Sequence, residues 1–175
     1  MNKYKTTYES PLGTIYLECD GTHLTGAWFK KQSKIPPLRY HEQNDTLKIF
    51  TDTKNWYDRY FNGQKPSGKE ILIKPNGTDF QIKTWMALYN IPYGRIASYH
   101  KMGDLVGKHC LQTIGVTIGL NPIAIIIPDH RVVSKTGHFK GFSAGVDKQI
   151  ALLKIEGLDT WCHPPKIFFC EKYFI

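Results

Sequence analysis

The residues best suited to chemistry stand together at the end of an apolar run. Ile123–Ile127 is followed by Pro128 and then by Asp129, His130 and Arg131. A carboxylate accepts hydrogen bonds, an imidazole exchanges protons near neutral pH, and a guanidinium pairs with anions. On the residues alone, Asp129 either accepts hydrogen bonds from its neighbours as a passive filler or takes part in binding or catalysis.

The four cysteines are the other candidates for chemistry. None of them forms a Cys-X-X-Cys pair, and their spacing does not match that of a zinc finger. Cys162, His163 and Cys170 could form a metal cluster, but the aromatic sequence around them favours packed thiols. We therefore predict no metal site from Cys19, Cys110, Cys162 and Cys170.

Composition favours a soluble protein with a polyanionic partner. The chain has 175 residues and a net charge of +8. Residues 81–158 are the most unbalanced part, with nine basic and four acidic side chains, which suits binding to nucleic acid. No run approaches the roughly 20 apolar residues of a membrane span, and the N-terminus lacks a secretory signal. We expect a cytoplasmic location, or a nuclear one in a eukaryote.

The first part of the chain predicts a small sheet and one helix. Two apolar runs, Gly13–Cys19 and Leu24–Phe29, are joined by Asp20-Gly21, which is typical of a hairpin turn. Residues 30–43 are polar and contain prolines, which predicts a loop. Apolar residues at helical spacing predict a helix over residues 46–61, and Ile71–Ile73 predicts a short strand.

The second part predicts several short helices. Thr78 and Ser98 are candidate N-caps, and Gly107 ends the helix that Ser98 begins. A further helix over Cys110–Gly119 would complete a helix-turn-helix inside the basic segment, although two adjacent core helices would have a similar pattern. A last helix is predicted over Ala144–Ile155.

Several motifs occur in the same order and spacing as in one known family. They are Ser10–Gly13, Gly77–Gln81, Trp85, Ile91–Gly94, Ser98-Tyr99, Asn121-Pro122, Ile125–Val133, Gly141–Gly145 and Leu152–Gly157. Over residues 5–158 the sequence resembles the O6-alkylguanine-DNA alkyltransferase superfamily. The resemblance implies an α+β protein in which a ribonuclease-H-like α/β domain precedes a mostly helical domain with a helix-turn-helix. We expect these domains at residues 1–75 and 76–158, followed by an aromatic tail at 159–175.

The resemblance also implies a partner and a way of binding it. The expected partner is double-stranded DNA, bound through its minor groove by a monomer without a cofactor. The target nucleotide would be rotated into a pocket, because the O6 atom of guanine is hidden inside the base stack. Repair proteins would be further partners.

Asp129 stands where the family pattern Pro-Cys-His-Arg-Val has its alkyl-accepting cysteine. The resemblance implies that His130 and Glu156 activate that cysteine and that Asn121 links the helix-turn-helix to the active-site turn. A carboxylate is a far poorer nucleophile toward an alkyl carbon than a thiolate. An aspartate at this position therefore predicts a protein that recognises alkylated guanine in DNA but does not accept its alkyl group. As a reader of the base, it would accept hydrogen bonds from N1–H and N2–H of unmodified guanine.

The remaining site residues also follow from the resemblance. Tyr99 would press against the 3′ phosphate of the target, and Gln112 replaces an arginine that fills the space left by the rotated nucleotide. Arg131 is expected to form a structural ion pair. Further residues expected to contact DNA are Arg95, Ser98, Thr113 and Gly115, and those expected to line the base pocket are Pro128, Phe142, Ser143 and Ala144.

Three classes of function remain open from the sequence. The first is a non-enzymatic protein that binds alkylated guanine. The second is an enzyme: either a methyltransferase whose cysteine was mutated, or a protein in which Asp129 takes the alkyl group as an ester that water slowly hydrolyses. The third is a paralogue that does not bind DNA and uses the aromatic tail, Ile167–Phe169 and Tyr173-Phe174, to contact other proteins.

Overall fold

The computed structural model describes residues 3–32, 35–134, 142–158, 161–163, 166–168 and 171–175. Gly141, Phe169 and Cys170, which carried sequence-based expectations, lie outside the described residues. The chain divides into two compact units. The first comprises residues 1–76 with 122–124, and the second comprises residues 77–121 with 125–175. None of the described helices is both long and apolar enough to cross a membrane.

The first unit contains a four-stranded sheet. Its strands lie side by side in the order Leu24–Phe29, Gly13–Cys19, Tyr4–Ser10 and Glu42–Gln43. β1 (Tyr4–Ser10), β2 (Gly13–Cys19) and β3 (Leu24–Phe29) form an antiparallel meander. The hairpin predicted at Asp20 is confirmed, and the Asp20 carboxylate accepts bonds from two backbone N–H groups of the turn. The loop predicted over residues 30–43 was wrong at its end, where β4 (Glu42–Gln43) pairs in parallel with β1.

One helix covers the sheet within this unit. α1 (Lys48–Phe61) buries Phe50, Tyr57 and Tyr60 almost completely, and the Tyr57 hydroxyl donates to the backbone oxygen of Ala124 at 2.9 Å. The strand predicted at Ile71–Ile73 was wrong. A single bridge joins Ile73 to Leu24, and a capped 3-10 turn at Gly68–Glu70 precedes this segment.

The second unit is mostly helical. Its elements are α2 (Asp79–Tyr89), β5 (Ala97–Ser98), α3 (Tyr99–Val106), α4 (Leu111–Gly119), β6 (Val132–Val133) and α5 (Val146–Ile155). Both predicted N-caps are confirmed: Thr78 accepts from the Gln81 N–H at 3.3 Å, and Ser98 accepts from the Lys101 N–H at 3.1 Å. β5 and β6 pair in parallel, which brings the start of α3 next to the segment that follows Asp129.

The end of the tail packs onto this helical unit. β7 (Trp161–His163) and β8 (Lys166–Phe168) form a short hairpin. After it, the Ile96 N–H donates to the oxygen of Tyr173 at 2.9 Å, and the Ile175 N–H donates to the oxygen of Ile96 at 3.0 Å. Tyr173 and Phe174 pack against a buried cluster of Ile96, Val133, Leu153 and Leu158. The last residues of the tail are therefore part of the unit's own core.

Candidate functional site

The turn between α3 and α4 is fixed by two glycines. Gly107 ends α3 in the left-handed conformation, with φ of 70°, which glycine adopts without steric cost. Gly103 lies inside α3, where the backbone of Lys108 passes close by and the Lys108 N–H donates to the Gly103 oxygen at 2.9 Å. A Cβ atom at Gly103 would lie only 2.6 Å from the Lys108 oxygen.

The Gly103→Ala variant is therefore expected to displace this turn. Alanine favours a helix over glycine by about 1 kcal/mol, but forced overpacking costs about 1–3 kcal/mol, so we expect a net loss of stability. Gly115→Ala in α4 is the matched control, because a Cβ atom there meets only the Tyr99 ring at 3.8 Å. Urea denaturation of both variants tests the prediction, which fails if Gly103→Ala is as stable as Gly115→Ala.

The outer face of α4 presents uncharged side chains. Gln112 is exposed, while Thr113 and Gly115 are half-buried and Ile114 lies in the core. Basic and ionisable side chains flank the helix, with exposed Lys108 and His109 in the preceding turn. The exposed surface of α4 thus combines uncharged polar and apolar side chains, including Leu111 and Val116, with basic residues in the preceding turn.

Tyr99 and Arg95 lie in the segment around β5, which precedes and begins α3. The Tyr99 ring lies beside Gly115 of α4, so the structure brings these two predicted DNA-contacting residues together. Arg95 is exposed, and its guanidinium donates to the backbone oxygen of Lys172 in the tail at 2.5 Å. Ser98 is buried and serves as the N-cap of α3, so its hydroxyl supports the helix and its position does not favour the predicted DNA contact.

Asp129 opens a tight 3-10 turn that runs to Arg131. Asn121, which immediately follows the last turn of α4, donates its side-chain N–H to the Ile127 oxygen at 2.8 Å and also bonds to the Asp129 carboxyl. Asn121 therefore joins the end of the helix-turn-helix to the turn that carries Asp129. Ile125, just before this turn, has a φ of 69°, a strained value for a β-branched residue.

The Asp129 carboxyl is almost fully enclosed, with only 4% of the residue exposed. Burial raises its pKa to about 7, against the opposing effect of hydrogen bonds from Asn121 and from the backbone N–H groups of Asp129 and His130. Its Oδ1 atom has no hydrogen-bond partner among the described residues. Burial also raises the pKa of Tyr99, and a negative charge on Asp129 would raise it further, which places the phenol close to this carboxyl.

His130, Arg131 and Glu156 form a buried ionic network behind Asp129. His130 Nε2 lies 2.7 Å from Glu156 Oε1, and both side chains are completely buried. Arg131 donates its Nε–H to Glu156 Oε2 at 2.9 Å and a terminal N–H to Oε1, also at 2.9 Å. It donates another N–H to the Ile91 oxygen at 2.5 Å. The Gly94 N–H completes the set, at 3.1 Å from Glu156 Oε2.

These contacts determine the charge of each group. Burial alone would raise the pKa of Glu156, but His130 and Arg131 lower it to about 2. Burial lowers the pKa of His130, and this effect with the nearby Arg131 outweighs the opposite effect of Glu156. Near neutral pH the network therefore contains an ionised glutamate, a charged arginine and a neutral imidazole that can accept a proton.

The residues predicted to line a base pocket lie before and after residues 135–141, which the structure does not describe. Pro128 is buried, while Phe142, Ser143 and Ala144 are half-buried and precede α5. The Ser143 Oγ atom is enclosed and, within the described ranges, has no hydrogen-bond partner. Among the described residues, Asp129 Oδ1 and Ser143 Oγ are thus two enclosed polar atoms of this region without a hydrogen-bond partner.

Sequence reasoning did not identify Gln149 as part of the site. This buried residue of α5 donates its Nε2–H to the oxygens of His130 at 3.1 Å and Val132 at 3.0 Å, and so holds the backbone of the turn against the helix. A polar residue on the inward face of the predicted helix, one turn before Leu152 and Leu153, was the signal that could have revealed it.

Comparison with known proteins matches both parts of the chain to one family. Residues 3–70 match the ribonuclease-like domain of 6-O-methylguanine DNA methyltransferase, and residues 79–158 match its DNA binding domain. A methylated-DNA–protein-cysteine methyltransferase of Haemophilus influenzae is 34% identical over 97% of each chain. One from Methanosarcina barkeri is 36% identical over 87% of this chain and 96% of its own.

Solved structures show the same relationship. The crystal structure of Mycobacterium tuberculosis O6-methylguanine methyltransferase aligns with a TM-score of 0.80 at 32% identity, over 88% of this chain and 92% of that one. The complex of the Mycobacterium tuberculosis protein with DNA aligns with a TM-score of 0.79 at 30% identity, over 89% of this chain and 92% of that one.

Proposed function

This chain belongs to the 6-O-methylguanine DNA methyltransferase family, and we propose that it binds O6-alkylguanine in duplex DNA without accepting the alkyl group. The target nucleotide is rotated out of the stack into the pocket around Asp129. The protein then acts as a lesion-recognition factor, and removal of the alkyl group is left to other repair proteins.

One observation carries this proposal: a buried aspartate occupies the nucleophile position while its neighbours keep their arrangement. His130 and Arg131 both bond to Glu156 in one buried hydrogen-bonded network. Asn121 bonds to both Ile127 and Asp129. An abandoned site would have no need of these contacts, because burying a polar group is costly unless it is paired.

Asp129 itself argues against alkyl transfer. Attack on the alkyl carbon needs a strong nucleophile, and a carboxylate is much weaker than a thiolate. The carboxyl is also enclosed, and its pKa of about 7 means that near neutral pH a large fraction is protonated and not nucleophilic. Ester formation at Asp129 is therefore the less favoured function.

The helix-turn-helix supports DNA as the partner. Tyr99 lies against Gly115, and Gln112 is exposed on the outer face of α4, which supports a role for both in contacting a duplex. The basic side chains Arg95 and Lys108 are exposed on the same unit. A DNA complex of a relative with the same fold agrees with this arrangement.

The test is fluorescence anisotropy of a labelled duplex with one O6-methylguanine, compared with its unmodified twin at two salt concentrations. We expect a preference of at least tenfold for the lesion, about 1.4 kcal/mol, weaker binding to both duplexes at higher salt, and no gain in protein mass after incubation. Gln112→Ala should weaken binding severalfold, whereas Gln64→Ala, at an exposed glutamine of the first unit, should not.

Each other result points to a different function. Methyl transfer to Asp129, detected by intact mass, would show an enzyme. Equal binding of both duplexes would reduce the protein to a general DNA-binding domain. Failure to bind either duplex at low salt would favour a protein-interaction module, and would overturn the proposal.

A further inference from the structure

We propose that Asp129 reads the alkylated base as a neutral acid, donating a hydrogen bond from Oδ1 to the N1 atom of O6-alkylguanine. This inference rests on the proposed function and goes beyond it, because it names the atom that distinguishes the lesion from guanine. It also makes lesion preference dependent on pH.

One side of the carboxyl is already occupied by donors. The Asn121 side chain bonds to it, and the nearby backbone N–H groups of Asp129 and His130 also lower its pKa. Oδ1 nevertheless has no partner among the residues that the structure describes, and the residue is only 4% exposed. A charged oxygen without a donor is costly in such surroundings. A neutral carboxyl with its proton on Oδ1 avoids this cost and presents one donor.

A single donor at this position suits an alkylated guanine. Unmodified guanine carries a proton on N1, which would face the Asp129 hydroxyl hydrogen. O6 alkylation removes the N1 proton and leaves a lone pair, so N1 becomes an acceptor. An ionised Asp129 would have the opposite preference, because its Oδ1 could only accept, and it would favour the N1–H of guanine.

The titratable groups around Asp129 keep one protonation state near neutral pH. The proton on Asp129 itself therefore controls the preference for the alkylated base. From α3, Tyr99 has a raised pKa and stays protonated. The His130 ring and the Arg131 guanidinium both bond to Glu156, next to the end of α5. Burial lowers the pKa of His130, so the ring stays neutral near neutral pH. None of these groups supplies a donor to Oδ1 in the described part of the chain.

The experiment measures the ratio of affinities for O6-methylguanine and unmodified duplexes as a function of pH. With a pKa of about 7, the protonated fraction of Asp129 falls about tenfold between about pH 6 and about pH 8. We expect the lesion preference to fall severalfold, up to about tenfold, over the same range. Any contact of the exposed His100 and His109 with phosphates would be the same in both duplexes and would cancel in the ratio.

Asp129→Asn provides the decisive variant. Its amide oxygen can accept the bonds from Asn121 and the backbone, which leaves the amide N–H group at the position of Oδ1 as a permanent donor. We expect a lesion preference that no longer changes with pH. Asp147→Asn, at an exposed aspartate of the same unit, should keep the pH dependence of the parent protein.

The outcomes separate this inference from the proposed function. If the parent protein prefers the lesion equally at all pH values, or if Asp129→Asn keeps the pH dependence, the inference is wrong and the proposed function stands. If the preference increases with pH, ionised Asp129 is the reading form and the inference is also wrong. If neither duplex is preferred at any pH, the proposed function itself fails.

Discussion

The Asp129→Cys variant is expected to accept a methyl group from O6-methylguanine DNA, once per protein molecule, whereas the parent protein accepts none. The new thiolate would attack the methyl carbon. A carbon–sulfur bond forms, the bond between the methyl carbon and O6 breaks, and the guanine anion that leaves takes up a proton. Intact-mass measurement after incubation should show a gain of one methylene group, and peptide mapping should locate it at position 129.

The physical reason lies in the residues behind the substituted position. Burial of the kind that raises the pKa of Asp129 would also raise the pKa of a thiol and oppose its ionisation. His130 offsets this, because its imidazole is neutral near pH 7 and bonded to ionised Glu156. It can therefore take the thiol proton as a general base. Transfer should accelerate as pH rises toward the pKa of the thiol.

Cys110 makes a control necessary, since this exposed cysteine occupies the N-cap position of α4 on the predicted DNA-binding surface. A hydrogen bond from the Thr113 side chain lowers the pKa of Cys110, which favours its reactive form. The double variant Asp129→Cys/Cys110→Ser should keep full transfer. If the folded Asp129→Cys variant binds the lesion but gains no mass, the protein lacks more than its nucleophile. Adding Gln112→Arg would then test whether nucleotide rotation is the missing step.

Local signals in the sequence identified most elements of the fold. The caps at Thr78 and Ser98 were correct because a side-chain oxygen that bonds a nearby backbone N–H defines a helix start on its own. The short strands β4 and β6 gave no such signal, since each has two residues and exists only through pairing with distant chain segments. The strand predicted at Ile71–Ile73 was wrong although its apolar residues gave a local signal, because only an isolated bridge pairs this segment with Leu24 among the described residues. Its apolar residues follow a capped turn, and one of them, Leu72, is 58% exposed.

The site could be located from the sequence, but its electrostatics could not. Asp129, His130 and Glu156 were identified by their motif. The protonation of Asp129, however, depends on its burial and on the lack of a donor to Oδ1 among the described residues, and neither is encoded in the spacing of residues. An ionised Asp129 would prefer guanine, whereas the neutral carboxyl that we propose would prefer the alkylated base. Three-dimensional packing thus changes the expected specificity.

The Glu156→Gln variant is expected to lose about 3–5 kcal/mol of unfolding free energy near neutral pH, because it leaves a buried charge without its partner. Glu156 is completely buried and accepts from Arg131, His130 and Gly94. Glutamine keeps the shape of the side chain but removes the negative charge, so the Arg131 guanidinium would remain enclosed and uncompensated. Asp52→Asn, in the exposed Lys48–Asp52 pair of α1, should cost only about 0.5 kcal/mol or less.

The pH dependence of this loss follows from the pKa of Glu156. Its value in the folded protein, about 2, lies below the ordinary 4.5, so the stabilisation is complete above the unfolded value and disappears as pH falls through the folded one. Urea denaturation at several pH values should therefore show the largest gap between parent and Glu156→Gln near neutral pH and a narrowing gap below about pH 4.5. A gap that stays constant down to about pH 3 would mean that lost packing, and not the charge on Glu156, accounts for the effect. Arg131 would then contribute through its contacts with Ile91 and Tyr93, and the network would be a packing element more than an ionic one.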